Sequence, residues 1–169
     1  MLENKRLVLT ALFIAFGLVL PLAFHSFGMG GPIFLPMHIP VLLGGMLLGS
    51  RSGFLIGLCT PLCSGLLTGM PAPLPTMPLM MAELAVYGAV AGYCYQLRQL
   101  GLYSSLILAM LAGRFATMLM LIFFGTTLHI KLAPWAYVAA SCLRGTLGIL
   151  IQLLIIPPSV KLLKKYLPL

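Results

Sequence analysis

Acid is almost absent from this chain. Among 169 residues there are two Asp or Glu against ten Lys or Arg, and both acids are glutamates, Glu3 and Glu83. Paired-carboxylate chemistry therefore has nothing to work with inside the hydrophobic segments. The motifs of other enzyme classes are also missing. There is no H-E-x-x-H, no G-x-S-x-G elbow around Ser64-Gly65, and no G-x-x-x-x-G-K-[ST] phosphate loop. The four cysteines, Cys59, Cys63, Cys94 and Cys142, form no C-x-x-C and fall inside apolar runs, so they read as small packing residues. His25, His38 and His129 are too far apart along the chain to suggest a metal spacing. No enzyme activity, no metal and no cofactor is expected. Basic residues are not interleaved with aromatics in a patch, which excludes a nucleic-acid surface despite the net charge of +8.

What is present is apolar. The chain is 61% hydrophobic and 7% charged, with mean hydropathy +1.12. No soluble domain of this size carries so little surface polarity, so the fold class is an all-α integral membrane protein, one transmembrane domain over 1–169. Spans of about 20 apolar residues place six helices near 7–24, 33–49, 53–69, 79–97, 103–128 and 134–156. The second and third are short and carry Pro36, Pro40 and Pro61, which imply kinks or half-helices. The segment 24–32 and the proline-rich segment 70–78 read as loops. Ser50-Arg51-Ser52 reads as a tight turn, and Pro157-Pro158 ends the last span. Six crossings put Lys5, Arg6, Arg51, Arg98, Lys161, Lys164 and Lys165 on one side and Lys131 on the other. By the positive-inside rule both termini are cytoplasmic. Small residues four apart, Gly45 and Gly49, Gly65 and Gly69, Gly88 and Gly92, Ala11 and Ala15, permit close helix contact.

Glu83 is the only acid within these spans. A charge at the centre of a spanning helix costs about 2.5–3.5 kcal/mol on insertion scales, so it must face a partner or a wet cavity. Arg114 and Arg144, each inside its own apolar run, are the candidate partners. Met80, Glu83 and Tyr87 share one helical face; Tyr137 and Arg144 share another, with Gln152 roughly below them. His38 reaches the mouth of such a cavity, whereas His25 and His129 belong to loops. Two arginines against one glutamate leave a surplus positive charge, which points to an anionic or zwitterionic solute. Glu83 neutralising one arginine as a structural ion pair is the plain alternative. Two others are a proton-linked carrier that depends on Glu83, and a membrane assembly subunit with no solute.

The basic start, Ala11-x-x-x-Ala15, and about six crossings in so short a chain resemble the substrate-binding S component of energy-coupling factor (ECF) vitamin transporters. The segment Leu35-Pro36-Met37-His38-Ile39-Pro40-Val41-Leu42-Leu43-Gly44-Gly45-Met46-Leu47-Leu48-Gly49 resembles that family's second helix, as do 53–68 and the Gly69-Met70-Pro71 turn. The resemblance implies a high-affinity binding subunit in the bacterial plasma membrane. It implies a partnership with a transmembrane coupling subunit through Ala11 and Ala15, and two ATPase subunits. It implies a solute site in the outer half of the membrane, capped by the first and the third-to-fourth loops, and transport by toppling in the bilayer. Glu83, Tyr87, Arg114, Arg144, Tyr137 and His38 are its expected site residues. The nickel and cobalt branch of the family carries an amino-terminal Met-His where this chain has Met1-Leu2. A pantothenate-like vitamin is the leading substrate; folate and a purine or deazapurine base are alternatives.

Overall fold

The computed structural model describes residues 2–26, 31–127 and 133–166. Among these residues every regular element is helical: α1 (Leu2–Ser26), α2 (Gly31–Phe34), α3 (His38–Leu48), α4 (Ser50–Thr68), α5 (Thr76–Gly92), α6 (Leu102–Thr127), α7 (Pro134–Arg144) and α8 (Thr146–Tyr166). A π-helical turn, Tyr93–Leu97, extends α5. Four stretches are long and apolar enough to cross a membrane: Glu3–Phe24, Thr76–Leu97, Leu102–Thr127 and Thr146–Tyr166. The apolar α3 is shorter than a span.

α1 starts earlier than expected, at Leu2, and α5 starts at Thr76 inside the expected proline loop 70–78; three larger differences from the sequence expectation each have a local reason. The expected helix over 33–49 is two pieces, α2 and α3, because Leu35 takes a left-handed φ of 50° ahead of Pro36. The expected turn Ser50-Arg51-Ser52 is the first turn of α4. The reversal falls on Gly49 alone, whose φ of 97° suits a residue without Cβ. The expected helix over 134–156 breaks at Gly145 into α7 and α8, and α8 runs through Pro157-Pro158 to Tyr166. Those prolines remove two backbone donors. The helix persists because Ile156 and Val160, on either side of them, are completely buried. The expected connection at His129-Ile130-Lys131 and residues 27–30 of the first loop lie outside the described residues, while 24–26 end α1 and 31–32 begin α2.

α3 is the hub. All of its residues except Ile39 are buried, and it packs on α1, α4, α5 and α8. Val41, Leu42, Met46, Ile56, Leu84, Leu106, Ile156 and Val160 are buried members of one core cluster. A small satellite of Leu79, Leu121 and Phe124 holds Tyr137 and Val138 of α7. α4 and α5 touch backbone to backbone. A Cβ built on Gly88 would overlap the Gly53 carbonyl, and one on Gly53 would overlap that of Gly88. Small residues are what allow such contact where lipid supplies no hydrophobic drive between helices.

This contact sets the position of α5 and everything it carries. Gly88→Leu is therefore expected to lower stability by about 2 kcal/mol, the usual cost of overpacking, read as a lower melting temperature of the purified protein. An unchanged melting temperature would contradict the close contact.

Candidate functional site

The polar residues of the apolar bundle converge on one place. His38 opens α3, and its N–H donates to the Leu35 carbonyl at 3.1 Å, so the Leu35-Pro36 corner fixes where the imidazole begins. The ring is buried and meets Tyr87 of α5 edge-on, with centroids 5.3 Å apart and planes at 68°. Tyr87 lies one helical turn beyond Glu83, so both side chains share a face of α5. The tyrosine ring fits against α6 because position 113 is glycine: a Cβ there would overlap the ring. That close approach brings the next residue of α6, Arg114, alongside Glu83.

Glu83 is buried, and its Oε1 stands 2.8 Å from Nη1 of Arg114. The approach is that of an ion pair rather than an aligned hydrogen bond, since Oε1 has no hydrogen-bond partner among the described residues. His38 Nε2 lies 3.8 Å from the same oxygen, beyond hydrogen-bond reach. Arg114 Nη1 also donates to Ser141 Oγ of α7 at 3.1 Å, and that hydroxyl donates to the Val138 carbonyl at 2.8 Å. Buried Thr117, one turn further along α6, hydrogen-bonds back to the Gly113 carbonyl at 3.1 Å. Besides Glu83 Oε1, two buried donors or acceptors of the cluster have no hydrogen-bond partner among the described residues, Arg114 Nη2 and His38 Nδ1.

Sequence and structure agree on part of this set. Glu83, Tyr87, Arg114 and His38 are together. Tyr137 is half-buried on α7 against Leu79, Leu121 and Phe124. Arg144 is elsewhere: it is exposed, in the last turn of α7 beside the Gly145 break. The surplus of buried positive charge inferred from the sequence is therefore absent from this cluster, which holds one arginine for one glutamate. The reason is the helix break, which places residue 144 at a helix end instead of mid-span. Ala11 and Ala15 are both exposed on α1, on a side that also exposes Val8, Leu12 and Val19. Ser141 escaped the sequence reading, because a serine in an apolar run is usually bonded to its own helix.

The arrangement can hold an acceptor-bearing solute. A guanidinium is a fixed fork of donors, and here one prong is committed while the other is free. No metal cluster of His, Cys or acid side chains occurs among the described residues. A side groove of about 450 Å³ lined by Ser50, Arg51, Phe54, Leu55 and Ala89 shares no residue with this cluster.

Comparison with curated proteins and with solved structures finds no match. The family model described as ECF transporter, substrate-specific component matches residues 5–160, nearly the whole chain. Set beside an apolar helical bundle with a buried polar cluster at its centre, that match leaves no ambiguity about kinship: the chain belongs to the family of substrate-specific components of ECF transporters.

Proposed function

We propose that this chain is the high-affinity binding subunit of an ECF-type importer, and that it captures a small carboxylate-bearing micronutrient of the pantothenate type. The observation that carries this reading is the free Nη2 donor of Arg114, buried beside the Glu83 ion pair. Leaving a buried donor of a charged group unmade costs more than the roughly 1–3 kcal/mol of a neutral one. A carboxylate or carbonyl oxygen of the solute relieves that cost on binding.

In this reading His38, Glu83, Tyr87 and Arg114 form the floor of the site, Tyr137 is a wall, and Arg144 stands at the mouth. The chain crosses the bacterial plasma membrane six times with both termini in the cytoplasm. α2 and α3 together make the second crossing and α4 the third. The distribution of lysine and arginine among the connections supports that orientation. The exposed Ala11 and Ala15 face lets a helix of the transmembrane coupling subunit approach α1 closely. ATP is hydrolysed by two partner subunits, because nothing in this chain can hold a nucleotide phosphate by a known motif.

Two outcomes follow. The full chain in lipid nanodiscs, without ATP, is expected to be stabilised by pantothenate. At a hundredfold excess over Kd the gain is about 2.7 kcal/mol, a rise of several degrees in melting temperature. No shift with pantothenate, folate or adenine, in protein shown to be folded, contradicts a solute-binding role. Glu83→Gln and Arg114→Lys are each expected to weaken pantothenate binding by about tenfold or more in calorimetric titration, as losses of charge-assisted contacts do. Unchanged affinity in both would make the pair purely structural.

A further inference from the structure

The face of α8 toward the bundle interior is a straight row at four-residue spacing, Gly148, Gln152, Ile156 and Val160, and all four are buried. Three are apolar. The exception, Gln152, is 1% exposed, yet neither its Oε1 nor its Nε2 has a hydrogen-bond partner among the described residues. Buried amides are almost always paired. A glutamine with both ends unmet, in a row of apolar neighbours, is the least satisfied neutral side chain in the core.

Its position can be read from packing. A Cβ on Gly148 would stand 2.7 Å from the Phe34 carbonyl oxygen and 2.9 Å from that of Ile33, so these residues are level. Beyond the corner at Leu35, α3 also packs on α8 and carries its own buried row at the same spacing, His38, Leu42 and Met46. Ile156 and Val160 join Leu42 and Met46 in one core cluster. On α8, Gln152 lies between Gly148, which meets Phe34, and Ile156, which shares the core cluster with Leu42; His38 lies between Phe34 and Leu42 on the facing segment, so the two polar residues fall at about the same level. His38 is the residue that faces Glu83, and its Nδ1 is also unpartnered. The two polar residues of these rows sit on one level, and their free atoms do not bond each other.

From this geometry we infer that Gln152 is the specificity-determining contact of the solute site, reading a neutral edge of the solute that places a donor beside an acceptor. A primary amide side chain carries one of each at fixed spacing. Its complement is a group with the same spacing reversed: an α-hydroxy amide, a primary carboxamide or a lactam. The site then has two distinct readers. Arg114 takes an acceptor oxygen at one end of the solute, and Gln152 takes the donor–acceptor edge set apart from it. A solute with the charged end alone leaves Gln152 unpaired, and a site built around a polar pair discriminates strongly against an analogue that cannot complete it.

This inference rests on the proposed solute-binding role, and the variant Gln152→Met separates the two. Methionine matches glutamine closely in shape and removes both unmet atoms. In nanodiscs without added solute, Q152M is expected to melt at or above the wild-type temperature, since replacing unpaired buried polar atoms by apolar ones is neutral or stabilising. Titrated with pantothenate, whose hydroxyl neighbours its amide carbonyl, Q152M is expected to lose affinity about tenfold or more. Its preference for pantothenate over the analogue lacking that hydroxyl should fall toward unity. Melting below wild type would show a structural hydrogen bond and overturn the inference. Equal pantothenate affinity in wild type and variant would overturn it while leaving the binding role intact. A folded wild type that binds none of pantothenate, folate and adenine removes both.

Discussion

A carboxylate buried in an apolar helical bundle has to be met by a cation, and much of this structure follows from how that requirement is satisfied. Removing one member of a buried ion pair costs about 3–5 kcal/mol, although the pair as a whole adds little stability over an apolar replacement. Glu83 and Arg114 are such a pair. To bring them to 2.8 Å, α5 and α6 approach closely enough for Tyr87 to lie on Gly113. The same guanidinium then ties down α7 through Ser141. α7 has no buried residues of its own; this bond and the satellite cluster around Leu121 join it to α6, and it also packs on α2 and α8.

The core around the pair is tightly tied at one end of α3 and leaves polar atoms unpartnered at the other. Backbone contact between Gly53 and Gly88 locks α4 to α5, and Gln96 in the π-helical turn donates to the Met46 and Leu47 carbonyls at 3.0 and 2.8 Å, closing the end of α3. The opposite end of α3 carries His38 and the corner at Leu35, where polar atoms are left free. A substrate-specific component has to hold its solute firmly and yet present a surface to its partners. In the proposed function, the exposed small residues of α1 and the buried polar level at His38 take those two tasks in separate parts of the bundle.

Much of this was legible in the residues. A lone glutamate and an arginine, each within an apolar run, can only be reconciled by pairing or by a cavity, and that reasoning found Glu83 and Arg114. The prolines around His38 marked a broken helix that brings a side chain inward. Arg144 was misplaced because the run from Pro134 to Ile156 is predominantly apolar on both sides of it. Hydropathy does not register a break at Gly145 when composition stays the same on both sides. Pro157-Pro158 read as a stop because local propensity is blind to the burial of Ile156 and Val160, which carries the helix onward. Gln152 was visible as a polar residue in a span. That neither of its amide atoms is paired depends on which neighbours α3 presents, and no local pattern encodes that.

In the proposed function Glu83 and Arg114 are kept for the solute more than for the stability of the fold. The double variant Glu83→Met with Arg114→Met, compared with wild type in lipid nanodiscs for melting temperature and for pantothenate binding by titration calorimetry, tests it directly. The account predicts a folded protein that melts within a few degrees of wild type or higher, with no measurable binding. A double variant that keeps its affinity, or one that fails to fold while each neighbouring apolar substitution is tolerated, would contradict it.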